Sequence, residues 1–345
     1  MKKENFRLMA FFLAILIING SCASTKPADP QAEPQAEPQA KPVVISEEDM
    51  VITNNELTKY NGTAEYIIIP DNLGITTIGE KAFAGSSIVS IKIPEGVTGI
   101  GYNAFTLCAK LENVELPSTL KVINTNRRGR QMGTFMGCPL PTLKIPASVT
   151  DLGNWSGWPN HTIIEVEDKS EFFTSIDGVL FNKDVTRLLH YPSSLKSESY
   201  TVPSSVKEIE QFSFQSSENL RSVILPQGLA SIRRMAFTGS GIRTINLPDT
   251  LNSFGSLVFN ECPNLIKLII PEGIMTIVNT NSFTYCPVLE SVELPSNVEI
   301  IEPKAFIGCP NLKRIVLPGN VDIKANSIIS NTGEDVTDSV NFVFY

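Results

Sequence analysis

Two histidines, His161 and His190, are the whole imidazole complement of this 345-residue chain. Imidazole is the usual general base near neutral pH and the commonest metal ligand, so acid–base catalysis and His-ligated metals have little to work with. Neither histidine stands in a nucleophile motif such as Gly-x-Ser-x-Gly. Acidic pairs such as Glu47-Glu48 lie outside any pocket-forming segment, which leaves a glycosidase pair without support. Thiols are the other reactive groups. Apart from Cys22 they are Cys108, Cys138, Cys262, Cys286 and Cys309, each three residues after a phenylalanine, in a slot that elsewhere holds Ser86, Ser217 or Ser240. A slot that alternates Cys with Ser asks for a small, slightly polar filler. Five is odd and no Cys-x-x-Cys occurs, so a complete disulfide set or a zinc set is not expected, though an occasional disulfide between stacked neighbours stays open. The chain is therefore read as non-catalytic, with no cofactor and no metal.

Two other groupings suit recognition. Arg127, Arg128 and Arg130 fall within four positions of an otherwise acidic protein, a cluster able to grip a carboxylate- or sulfate-bearing partner, or simply to be a solvated loop. Trp155 and Trp158, both tryptophans of the chain, sit in Gly153–His161; such rings anchor a protein or sugar partner, or pack their loop onto the body. The formal charge is −8, and −10 once residues 1–21 with Lys2, Lys3, Arg7 and Glu4 are set aside. That balance argues against binding nucleic acid or anionic lipid through bulk charge.

The N-terminus reads as an address. A basic start precedes an apolar run from Leu8 to Ile18, too short for a bilayer span of about 20 residues. The run ends in Asn19-Gly20-Ser21-Cys22, which resembles a bacterial lipobox, with Asn19 where that pattern prefers Leu. The resemblance implies lipidation of Cys22 and a membrane attachment made only by that lipid. Proline at 30, 34, 38 and 42 blocks helix and sheet and favours polyproline II, so residues 22–50 form a tether of roughly 80–90 Å at about 3.1 Å per residue. The expected organisation is a signal over 1–21, a tether over 22–50 and one folded array over 51–345.

The array is set by a repeat. Proline follows an apolar-x-apolar triplet at 70, 94, 117, 146, 203, 226, 248, 271, 295 and 318, mostly 22–24 residues apart. Phe83, Phe105, Phe135, Phe214, Phe237, Phe259, Phe283 and Phe306 keep the same beat. A unit this short cannot bury its own apolar face, so units must stack into a solenoid. About eleven coils of about 23 residues are expected, with a parallel β-sheet on one face and short helical turns or irregular arcs on the other. The 57-residue gap after Pro146 accommodates one extra coil and a β-hairpin, with arms Ser175–Phe181 and Thr186–Tyr191. The phrase Ile-x-Ile/Leu-Pro, then Val-x-x-Ile, Ala-Phe and Gly-Cys-x-x-Leu resembles the BspA-like leucine-rich repeat of bacterial surface proteins over residues 62–320. That resemblance implies a cell-surface lipoprotein that binds host matrix proteins such as fibronectin or fibrinogen, or other microbes.

In each strand the residue between the two inward ones faces water: Ile68, Lys92, Glu115, Lys144, Thr201, Ile224, Asn246, Ile269, Glu293 and Val316. Ile224, Ile269 and Val316, with Lys267 and Arg314 beside them, form a candidate contact patch of apolar residues rimmed by charge. The open ends need caps, expected from residues 51–61 and 320–345. The functional expectation is an adhesin at the bacterial envelope, on the outer membrane and surface-exposed, whose partner is an extracellular protein or glycan and not a nucleic acid. The alternative is a non-catalytic, periplasm-facing envelope or glycan-binding structural protein.

Overall fold

The computed structural model describes residues 41–123, 133–153, 158–272, 274, 277–278, 283–330 and 333–344. They build a β-solenoid of about 12 turns, in keeping with the expected leucine-rich repeat solenoid. The apolar-x-apolar triplet before each proline makes the front strand: Tyr66–Ile68, Ser90–Lys92 and Asn113–Glu115 pair in parallel, and Lys267–Ile269, Ser291–Glu293 and Arg314–Leu317 do the same further on. Proline ends each of these strands because it has no N–H for the next rung. A second parallel ladder follows, formed by pairs such as Thr77–Ile78, Gly99–Ile100 and Val122–Ile123, or Glu208–Ile209, Ser231–Ile232 and Ser253–Phe254.

The far side is an arc without α-helix among the described residues, whose only helical turns are three short 3-10 segments. The cause lies in the backbone around the repeat phenylalanine. Two residues before it, Lys81, Asn103, Phe212, Met235, Leu257 and Lys304 have φ near +60°; two residues after it, Gly85, Leu107, Gly137, Ser216, Gly239, Glu261, Tyr285 and Gly308 do so as well. A left-handed residue on each side forbids a helical run and turns the chain back toward the front. Between them the phenylalanine points inward and stacks: Phe83 on Phe105 at 5.1 Å, Phe105 on Phe135 at 5.4 Å, Phe214 on Phe237 at 4.7 Å and Phe283 on Phe306 at 4.9 Å.

The Cys/Ser slot also gains a physical reason. Cys108, Cys138, Cys262 and Cys286 donate from Sγ to the carbonyl oxygens of Phe83, Phe105, Phe237 and Phe259, each one coil back, at 3.0, 3.0, 3.2 and 3.1 Å. Where the slot holds Cys, it supplies a buried donor that reaches the backbone of the preceding arc. All five of these cysteines are buried free thiols.

Three features depart from expectation. The array starts earlier than residue 51: Val43–Val44 pairs in parallel with Tyr66–Ile68, and Ile45 and Met50 are buried. The β-branched pair saturates the first coil's open edge, so the expected end of the tether is part of the cap. The rest of that cap is a hairpin, Met50–Thr53 with Glu56–Tyr60, turning at Asn54-Asn55. The inserted hairpin has three strands rather than two. Its first arm breaks at Asp177-Gly178, both at positive φ, giving Phe173–Ile176, Val179–Asn182 and Arg187–His190, the last of which joins the second ladder beside Glu208–Ile209. Asp-Gly at a two-residue turn with both φ positive is the strongest local hairpin signal. At the C-terminus, Asn341–Phe344 does not lie across the last coil but extends the front sheet, pairing in parallel with Arg314–Leu317.

Candidate partner-binding surfaces

The front sheet holds its outward residues in register, one coil from the next. Tyr200 and Val223 align as inward neighbours while Thr201 and Ile224 align outward, and Ile269, Glu293, Val316 and Val343 form one outward row. Lys92, Glu115, Lys144, Thr201 and Asn246 are exposed, as are Lys267 and Arg314. Ile224 and Ile269 are 56% and 46% exposed, large for β-branched residues in a sheet.

Val316 does not belong to this set. It is only 8% exposed because the C-terminal strand lays Val343 beside it while Glu293 flanks it on the other side. The apolar patch therefore reduces to Ile224 and Ile269, which stand two coils apart with Asn246 between them. Trp158 is also buried, and its ring packs on Phe135 at 5.8 Å. It occupies the aromatic slot of a coil without a repeat phenylalanine, as Tyr60 does at the first coil, 5.2 Å from Phe83. Trp158 is thus a spine residue and not an exposed anchor. Trp155, Arg127, Arg128, Arg130 and Cys22 lie outside the described residues.

The second ladder carries a charged surface that the sequence reading did not single out. Arg187 reaches Glu208 at 3.2 Å and also pairs with Glu210, while Arg233 pairs with the other oxygen of Glu208. Arg187 and Glu208 are register partners; Glu208 pairs with Ser231 on the next strand, and Arg233, two residues further on, reaches back to Glu208. Half-exposed pairs of this kind contribute little stability individually, although a network does better.

The two histidines sit at the insertion. His190 is buried, with Nε2 at 3.0 Å from the carbonyl oxygen of Thr162, and burial pulls its pKa down to about 4. A neutral imidazole donating to a backbone carbonyl serves as a structural strut. Among the thiols, burial pushes Cys262 up to about 12, and the hydrogen bond between Cys108 and Cys138 raises Cys138 and lowers Cys108 to about 7. All three side chains are buried.

Comparison with known proteins gives one consistent picture. The family model "BspA type Leucine rich repeat region" matches residues 53–127, 189–313 and 276–337, in six copies. Among solved structures, the pneumococcal vaccine antigen PcpA is 26% identical with a TM-score of 0.71, over 84% of this chain and 77% of that one. A leucine-rich repeat protein from Eubacterium ventriosum is 22% identical with a TM-score of 0.63, over 83% of this chain and 85% of that one. Another from Bacteroides ovatus is 23% identical with a TM-score of 0.52, over 82% of this chain and 70% of that one. No curated protein matches the chain.

Proposed function

Because this chain belongs to the BspA-type leucine-rich repeat family, we propose that it is a surface-displayed, lipid-anchored repeat protein that binds an extracellular protein or glycan and acts as a non-catalytic adhesin. The observation that carries this reading is the front sheet itself. It presents exposed, chemically varied side chains coil after coil, and Ile224 and Ile269 are offered to solvent beside Asn246 and Lys267. A solenoid surface of this kind recognises partners by complementarity over many coils instead of by a pocket. The lipobox-like Cys22 and the proline-rich run after it supply the attachment and the reach.

Two experiments test the reading in sequence. Protease shaving of intact cells, with a periplasmic protein as integrity control, should remove the full-length band while sparing the control. Immobilised fibronectin and fibrinogen should then retain the purified chain, and Ile224→Lys with Ile269→Lys should weaken that retention at least tenfold. A band protected until lysis refutes surface display and favours a periplasm-facing envelope role. Retention that ignores both substitutions refutes the front sheet as the contact surface.

A further inference from the structure

The inserted meander divides the aromatic spine. Tyr60, Phe83, Phe105, Phe135 and Trp158 make ring contacts in sequence on one side of it, and Tyr191, Phe214, Phe237 and Phe259 on the other. The buried core divides at the same place into two clusters. Where the arcs of the two halves face each other they leave an open cleft of about 520 Å³, within the range of about 300–1,000 Å³ usual for small-molecule sites.

Its lining is unlike the rest of this surface. Half-buried Phe212 gives aromatic surface beside the buried Trp158, Asn160, Gln215 and Ser216 give amide and hydroxyl groups, and His161 adds an imidazole; no Asp, Glu, Lys or Arg takes part. Phe212 holds the left-handed backbone region at φ 61, as Met235 and Leu257 do at the same position of their coils. The buried Nε2 of His161 finds no hydrogen-bond partner among the described residues, and neither do the buried hydroxyls of Tyr191, Ser194 and Ser217. Of these four residues only His161 lines the cleft. Buried polar groups are nearly always paired, so its Nε2 calls for a hydrogen-bonding occupant.

We infer that this cleft is a binding site for a neutral saccharide unit. An ionic ligand would leave water here without a charged side chain to compensate it. A hydrocarbon would leave the polar groups unmatched. A sugar ring offers hydroxyls that both donate and accept, together with C–H faces that pack on aromatic rings. The inference does not rest on the front sheet being a partner surface, since the cleft lies over the arcs.

The test is saturation-transfer NMR combined with tryptophan emission on the purified chain. The probes are glucose, galactose, N-acetylglucosamine, maltose, lactose and chitobiose, with glucuronate and hexanol as charged and apolar comparisons. Transfer to at least one neutral sugar with a shift in emission is expected, and Gln215→Ala should weaken binding at least tenfold. Ser193→Trp, which fills the cleft, should abolish binding with an unchanged far-ultraviolet spectrum. If that variant fails to fold, Gln215→Ala decides alone. Absence of transfer to every neutral sugar of the panel overturns the inference. So does preference for glucuronate or hexanol, or binding that Gln215→Ala leaves intact.

Discussion

Truncating Phe105 to alanine probes the spine at its best-packed point. The ring is fully buried and stacked on both sides, on Phe83 at 5.1 Å and 11° and on Phe135 at 5.4 Å and 6°. Removing a buried phenylalanine side chain costs about 3–5 kcal/mol through lost transfer energy and the cavity left behind. Each aromatic pair adds about 0.5–1.5 kcal/mol beyond area, which puts Phe105→Ala near the upper end, about 5 kcal/mol. In a solenoid each coil touches mainly its neighbours, so the loss falls first on the N-terminal coils. Trp158 packs on Phe135 and reports that region. Urea unfolding followed by tryptophan emission should therefore shift to lower denaturant further than unfolding followed by circular dichroism. Phe172→Ala, at a residue 46% exposed, is the control and should change stability by under about 0.5 kcal/mol. A Phe105→Ala cost below about 1 kcal/mol, or one equal to the control's, would show that the stacked rings do not hold the coils together.

Three further outcomes are expected. His190 has its folded-state pKa lowered from 6.5 to about 4, so its contribution is complete above pH 6.5 and is lost as pH falls toward 4. By linkage about 2 kcal/mol should be gone by pH 5, and His190→Gln should flatten that slope in denaturation curves measured at pH 7, 6 and 5. Deleting residues 340–345 removes the strand paired with Arg314–Leu317 and the buried Val340, and bares Val316. The cost should be about 2–4 kcal/mol with concentration-dependent aggregation at the new edge, and an unchanged melting curve and light scattering would sink the capping role. Cys262→Ser keeps a hydroxyl donor in the slot and should stay within about 0.5 kcal/mol of the parent, whereas Cys262→Val leaves the Phe237 carbonyl only the Ser240 N–H and should cost about 0.5–1.5 kcal/mol by chemical denaturation.

The sequence by itself determined the solenoid, because every coil solves the same local problem. A triplet alternates inward and outward, proline stops the ladder, phenylalanine fills the interior, and a small Cys or Ser fits the slot behind it. Each of these needs only residues within one period and a copy of itself next door. The beat also exposed the insertion after Pro146 by breaking there. What the period could not show is which neighbour a given coil has. Val316 is outward by alternation yet buried, because a strand near the C-terminus lies beside it; Val43–Val44 joins the sheet because the first coil has an open edge. Trp158 read from the sequence either as a partner anchor or as a ring packing its loop onto the body, and it is the latter because its coil had an empty aromatic slot next to Phe135. The Arg187–Glu208–Arg233 network and the cleft beside Trp158 exist only where separate coils come face to face. Periodicity specifies the direction of a side chain; its burial depends on long-range pairings that no single repeat encodes.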